Sequence, residues 1–371
     1  MKLFVAIPIL RELENIECLL NDIRNQTLSD FKVFFCVNNP EQWHDDANKL
    51  IDIEDNAKTL NLLREVKDLD IEIIDKSSKG NGFDVKRAGV GLARKVLMDK
   101  IVEIASPEDI ILSLDADTRF SEHYFSSIKN TLQQNSDAVA ISVPYYHQLT
   151  ENEEYNYCIL RYEMYMRHYM INMLTIGNPY AFTALGSAIA LPVWAYGKVG
   201  GMPPRKSGED FYLLQALRKT GRILLWNDEH VYPQARLSDR VAFGTGPAMI
   251  KGMQGDWNSY PFYNERFFKD IEETYNLFSD LFYNDIETPM SDFLRQTFKT
   301  QDLWSPLRKN YKTPDRFVHA CMVKVDALRI LQYLRYRQQN CEQKTKLIIT
   351  QEVRDKMYEV ENEMRVAYDA R

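Results

Sequence analysis

Short apolar runs alternate with longer stretches of helical period through the first half of the chain. KLFVAIP (2–8), KVFFCVN (32–38), IEIID (71–75), DIILSLD (109–115) and AVAISV (138–143) have the length and residue types of strands. Between them, residues 12–25 place Leu13, Ile16, Leu19, Leu20 and Ile23 on one helical face. A polar, helix-leaning stretch runs from about Trp43 to Val66, a helix is expected over 85–103, and Ser121 is a suitable N-cap for another. Strands alternating with helices predict a mostly parallel sheet covered on both faces, and the near-continuous apolar run of DIILSLD suits such a buried strand. Ligands of these sheets sit beyond the carboxyl ends of the strands, where Pro8, Asn38, Asp75 and Asp115 fall. After about residue 255 the pattern becomes aromatic-rich and helical, which predicts an α/β domain over 1–250 and a helical C-terminal region over 251–371.

Composition narrows the class. Of 371 residues, 45% are hydrophobic and 12% aromatic, as in a folded globular chain, and the net charge of -7 argues against nucleic acid as a partner. Five cysteines are widely spaced with no C-x-x-C, so neither a disulfide framework nor a zinc site is expected, and a reducing, cytoplasmic compartment fits best. MKLFVAIPIL reads as a first strand and not as a signal peptide. From Tyr169 to Gly197 about 29 residues carry no charge, more than a bilayer requires, but Gly177, Pro179, Gly186 and Pro192 interrupt them. Buried core is the expectation there. No membrane-spanning segment is expected, with peripheral membrane contact and a homo-oligomer left open.

Two acidic pairs carry the candidate chemistry. Asp115 and Asp117 follow a buried strand at i, i+2, and a hard divalent cation is the usual reason to gather such carboxylates. Mg²⁺ or Mn²⁺ held there would keep positions open for the oxygens of a di- or triphosphate; the plainer alternative is a turn residue followed by a helix cap. Glu209 and Asp210 start a helix after a Gly-Gly turn, where the helix dipole alone would favour them and a general base could also stand. The glycines of SSKGNGF and GVGLAR complete neither a Walker loop nor a dinucleotide-binding fingerprint. The aromatic cluster over 155–170 has helical spacing and either packs or forms a platform for an acceptor sugar.

VAIPILRELENIECLLNDI, VNNP, GVGLARKVLMD, ILSLDADT and GGMPPRKSGEDFYLL resemble, in order and spacing over residues 1 to about 240, the family 2 glycosyltransferases, which have the GT-A fold. The resemblance implies a nucleotide-sugar donor across the carboxyl edge of the sheet and a glycan, lipid-linked or small-molecule acceptor. It implies that Pro8 lines the nucleotide pocket and that Glu12 matches an acid found there. Asn39 stands where many members have an aspartate, and Asp75 ends a strand that often meets the nucleotide, although a simple turn is the alternative. Arg94 matches the arginine of an Ala-Arg-Asn segment, with Lys95 in place of the asparagine, and would support the nucleotide or diphosphate. Asp115 would contact ribose or metal-bound water, Asp117 the metal, and Asp210 would be the base, with Glu209 its companion. Arg236 and Arg240 would neutralise the diphosphate from a closing loop; His230 either completes the metal site or is an ordinary hydrogen-bonded histidine. The expected reaction is inverting glycosyl transfer in cell-surface polysaccharide or glycoconjugate synthesis. A Gln-x-x-Arg-Trp motif is absent, against a processive enzyme. A sugar-phosphate nucleotidyltransferase and a non-catalytic nucleotide-sugar or glycan-binding protein are the alternatives.

Overall fold

The computed structural model describes residues 1–237, 244–339, 341 and 345–371. The chain divides into two compact units. The first holds Met1–Tyr162, Phe182–Asp256 and Arg365–Arg371; the second holds Glu163–Ala181 and Trp257–Met364.

The first unit opens with β1 (Leu3–Ile9), α1 (Leu13–Arg24), β2 (Phe31–Asn38), α2 (Leu50–Glu65), β3 (Ile71–Lys76), α3 (Val90–Val102) and β4 (Ile110–Ser113). It continues with β5 (Thr118–Phe120), α4 (Tyr124–Gln134), β6 (Ala138–Ser142) and α5 (Glu153–Thr175), whose later turns belong to the second unit. Then come β7 (Ile189–Pro192), α6 (Val193–Lys198), α7 (Glu209–Arg218), β8 (Arg222–Leu224), β9 (Val231–Pro233) and α8 (Thr245–Met253). Seven strands form one sheet in the order β3-β2-β1-β4-β7-β6-β8. β1, β2, β3 and β4 run parallel, as their buried apolar runs predict, and β7 alone is antiparallel to its neighbours β4 and β6. This is an α/β fold of the GT-A type. Every residue of β1 is buried, and α1 turns Ile16, Leu19, Leu20 and Ile23 into the core.

The strand order fixes where a ligand can sit. From β1 the chain builds outward through β2 and β3, then returns to place β4 on the other side of β1, so the carboxyl ends of β1 and β4 diverge into a crevice. Leu114 N–H still bonds the Ala6 carbonyl at 3.1 Å, which delivers Asp115 to the edge beside the end of β1. Beyond it, β5 pairs antiparallel with β9, and Gln234 N–H bonds the Asp117 carbonyl at 3.2 Å. That small sheet brings residues 234–236 alongside the acidic pair.

Two local expectations change. Ser121 stands ahead of the helix instead of at its first turn: α4 begins at Tyr124, and the Ser121 hydroxyl accepts the His123 N–H at 3.2 Å while donating to Glu229 at 2.6 Å. The helix expected from 85 begins at Val90, because residues 84–88 close a turn on Asp84. The uncharged stretch over 169–197 contains the end of α5, an irregular turn, β7 and most of α6, and among the described residues no helix is long and apolar enough to cross a membrane. The chain's last residues complete the first unit. Buried Arg365 donates to the carbonyls of Ser142 and Leu225 at 3.0 and 2.7 Å, and Asp369 accepts the N–H groups of Leu225 and Trp226 at 2.8 Å each.

The second unit is helical: the later turns of α5, then α9 (Glu265–Asn276), α10 (Ser291–Phe298), α11 (Ser305–Asn310), α12 (Pro314–Lys324), α13 (Ala327–Gln339) and most of α14 (Gln351–Asp369). Its core gathers Tyr263, Phe268, Ile271, Phe278, Leu281 and Leu334. Arg167, fully enclosed, is matched by Glu163 at 2.6 Å and Glu361 at 3.0 Å, as an ion inside a protein must be. In the aromatic cluster over 155–170, Tyr162 and Tyr169 are buried and His168 bonds the Tyr263 carbonyl at 2.8 Å, whereas Tyr157 is exposed.

Candidate active site

A cavity of about 370 Å³ opens at the carboxyl ends of β1 and β4, of a size that holds a small ligand. Pro8, Glu12, Arg94, Asp115, Asp117, Glu209, Asp210 and Arg236 all line it. Residues up to 228 apart in sequence therefore converge on one space, and each is placed by an identifiable element.

Arg94 lies at its base. It projects from α3, is only 2% exposed, and its Nη2 donates to Asp115 Oδ1 at 2.6 Å while Nε lies 3.3 Å from Glu209 Oε1. Nη1 is buried and has no hydrogen-bond partner among the described residues. A buried guanidinium group with an unspent donor is uncommon and calls for an explanation. The arginine fits because residue 186 is glycine: a Cβ there would fall 2.0 Å from Nη2. Gly208 has φ of +73°, a left-handed turn that a side chain disfavours, and it starts α7 so that Glu209 and Asp210 occupy the first turn.

The two acids at that turn are perturbed together. Burial pushes the Glu209 carboxyl up to about 7, with the Asp210 charge adding and Arg94 opposing. Asp210 is also raised, by burial first, against the lowering effects of Arg94 and of the Phe211 N–H that it accepts at 2.7 Å. Close carboxylates in a desolvated site resist ionising together. The sign follows: between the ordinary 4.5 and about 7, folded Glu209 holds a proton that the unfolded chain has released, so this group makes stability fall as pH rises through that window. Replacing Glu209 by Gln is expected to flatten that decline, measured by urea denaturation at about pH 5 and about pH 8. An unchanged slope would show that Glu209 titrates normally.

On the opposite side Arg236 bridges acids. Its Nη2 lies 2.8 Å from Asp117 and pairs with Glu12, whose other oxygen accepts from Asn15 at 2.7 Å. Asp115 and Asp117 are thus each met by an arginine. Two carboxylates on a ligand-sized space provide hard oxygen donors suited to Mg²⁺ or Mn²⁺, which take one or two carboxylates and complete their shell with phosphate and water. Among the described residues there is no group of three or more His, Cys, Asp or Glu placed to hold a metal. A cation here would rely on the pair and on its ligand.

Other candidates lie elsewhere. Asn39 is buried away from the cavity, where its Oδ1 accepts from Asn56 at 3.0 Å; its neighbour Asn38 lines the cavity instead. Asp75 does not line the cavity and closes a turn, accepting the N–H groups of Ser77 and Ser78 at 3.0 and 2.9 Å. Burial acts to raise its carboxyl, but the Ser78 and Ser77 hydrogen bonds outweigh it and hold the group below its usual value. His230 is not among the lining residues and stacks edge-on against Trp226 at 5.4 Å. Arg240 lies outside the described residues. Sequence reasoning missed Trp43 and Lys49, which line the cavity together with Lys49 Nζ 4.7 Å from the indole centre, and Arg11, a lining residue with φ of +57°.

The mostly parallel sheet, with two acidic pairs lining the cavity beyond its strand ends, has the GT-A architecture. Residues 110–297 match the model of the glycosyl transferase family group 2, half of the chain, and the protein belongs to that family; it is a glycosyltransferase. Among solved structures, TarS of S. aureus in complex with UDP-GlcNAc is 13% identical, with 100% of this chain and 91% of that chain covered and a TM-score of 0.43. The mannosyltransferase PcManGT from Pyrobaculum calidifontis, in complex with GDP-Man and Mn2+, is also 13% identical, with 100% and 87% covered and a TM-score of 0.38. No curated protein matches the chain.

Proposed function

We propose that the protein moves a sugar from a nucleotide-diphosphate-sugar donor to an acceptor hydroxyl in a metal-dependent, inverting reaction. The convergence of Arg94, Asp115, Asp117 and Asp210 on one cavity is the observation that carries this reading. The nucleotide would lie along Pro8, Asn38, Pro40 and Trp43, with the indole face, backed by Lys49, available to a base. The free Nη1 of Arg94 would receive a diphosphate oxygen. Asp115 and Asp117 would hold Mg²⁺ or Mn²⁺, which when bound neutralises charge on the diphosphate leaving group.

Asp210 would act as base. Its desolvated carboxylate, raised above the usual range, is better matched to a hydroxyl proton than an exposed aspartate. As the acceptor oxygen bonds the anomeric carbon, the bond to the diphosphate oxygen breaks and Asp210 takes the proton, with one inversion of configuration. Glu209, protonated near neutrality, would spare that carboxylate a second negative neighbour. Arg236 would leave Asp117 when a cation arrives and turn to the donor's phosphates, so loading would exchange one positive partner for another. Five free cysteines suit work in the cytoplasm, and the product would enter a cell-surface polysaccharide or glycoconjugate.

Thermal stabilisation by UDP-, GDP-, dTDP- and CMP-sugars, with and without Mn²⁺, tests the reading. One nucleotide series should stabilise the protein only with metal, by about 2.7 kcal/mol at a hundred times its dissociation constant. Asp117→Ala should abolish the metal-dependent part. Equal stabilisation of wild type and Asp117→Ala would refute metal binding at the pair.

A further inference from the structure

The rim of the cavity carries a charge pattern that the transfer reaction itself does not use. Lys86 and Arg87 directly precede Ala88, Gly89 and Val90, and Arg205 and Lys206 directly precede Ser207 and Gly208; those five following residues line the cavity. All four cations are exposed. Close backbone packing brings their two segments together: a Cβ on Gly89 would lie 2.7 Å from Lys206 Cα, and one on Gly91 would lie 2.2 Å from the Arg205 carbonyl oxygen. Lys206 Nζ donates to the Val85 carbonyl at 3.2 Å, and the Arg205 guanidinium lies 3.7 Å from the centre of the Tyr212 ring.

None of the four forms an ion pair among the described residues. Asp84 is the one acid within residues 84–91 and 203–208, and its carboxylate accepts the Lys86 N–H at 2.8 Å to close the turn. Four cations less one acid leave +3 over these two exposed segments flanking the cavity lining, on a chain whose net charge is -7. Like charges gathered on a rim repel one another, and a polyanion relieves that repulsion while being drawn toward the mouth. In the proposed reaction the donor's diphosphate is met by Arg94, which lines the cavity itself. The rim is therefore surplus to the donor's charge.

We propose that Lys86, Arg87, Arg205 and Lys206 form an acceptor subsite for a phosphate-bearing acceptor, whose reacting hydroxyl enters beside Asp210 while its phosphates stay on the rim. The subsite rests on the glycosyltransferase reading for the hydroxyl's fate but not for the anion's binding, so the two fail separately.

The test compares wild type with a variant carrying Lys86→Gln, Arg87→Gln, Arg205→Gln and Lys206→Gln, all at exposed positions. Fluorescence anisotropy would follow labelled polyphosphate and labelled neutral dextran, and sedimentation would follow vesicles of phosphatidylcholine with and without phosphatidylglycerol. Binding of polyphosphate, weakening by roughly tenfold or more in the variant and steeply with salt, supports a soluble phosphate-bearing acceptor. Retention on phosphatidylglycerol vesicles alone, lost in the variant, supports the same subsite filled by a lipid-linked phosphate. The variant's metal-dependent stabilisation by a nucleotide sugar should match wild type within about twofold in apparent affinity, because Arg94 and the acidic pair are untouched. Equal binding of polyphosphate and of vesicles by both proteins, or binding of dextran alone, would overturn the proposal. Failure of every nucleotide sugar to bind wild type would instead refute the donor reading.

Discussion

Asp210→Asn is expected to lower turnover by about 10²- to 10⁴-fold while leaving donor affinity within about twofold, since a positioned base contributes that much and the amide preserves shape. The carboxylate is desolvated, stands in the first turn of α7 and lines the same cavity as Asp115 and Asp117. An asparagine there cannot accept the hydroxyl proton. Because Glu209 is its neighbour, Glu209→Gln is the comparison that assigns the role: it keeps a neutral group of the same shape beside Asp210 and leaves the base in place, and should cost far less turnover. If the two variants lose turnover equally, the pair acts as a unit and the assignment to Asp210 fails.

Gly186→Ala is expected to cost about 1–3 kcal/mol of stability, through overpacking, and most of the activity. The new Cβ would lie 2.0 Å from Arg94 Nη2, 2.6 Å from Cζ and 3.1 Å from Nη1. The guanidinium cannot retreat freely, because it is 2% exposed and tied to Asp115 and Glu209. If it swings aside, two acids lose their counter-ion in a desolvated site. Gly197→Ala is the control: it sits in α6, a Cβ there meets nothing within 4 Å, and alanine should be neutral or stabilise the helix by up to about 1 kcal/mol. Urea denaturation and turnover of both variants decide the matter. Equal behaviour would show that Arg94 tolerates displacement.

Much of the architecture was legible because the first strands advertise themselves. β1, β2 and β4 are covered on both faces and read as unbroken apolar runs, and the acids at the end of β4 and the start of α7 follow from where those elements stop. The errors came where period and propensity carry little information. β5 and β9 have three residues each, too few to show alternation, yet their pairing is what seats Arg236 on Asp117. At the end of β2 one position decides which side chain reaches the cavity, so Asn38 lines it and Asn39 does not. Trp43 looked like part of a polar helix, but it lies in a short 3-10 turn whose direction no periodicity reveals. Ser121 has the chemistry of a cap and accepts the His123 N–H, but a turn at 122–123 delays α4 to Tyr124. The glycines of GVGLAR, examined as a phosphate loop, turn out to allow two segments to touch, a role that only distances disclose.

The account stands most directly on release of nucleoside diphosphate from a panel of nucleotide sugars, measured with Mn²⁺ or with chelator for wild type, Asp117→Ala and Asp210→Asn. Metal-dependent release from one donor series by wild type, lost in Asp117→Ala together with donor binding and lost in Asp210→Asn with donor binding retained, is the predicted result. Release that is indifferent to metal and to both substitutions would contradict it.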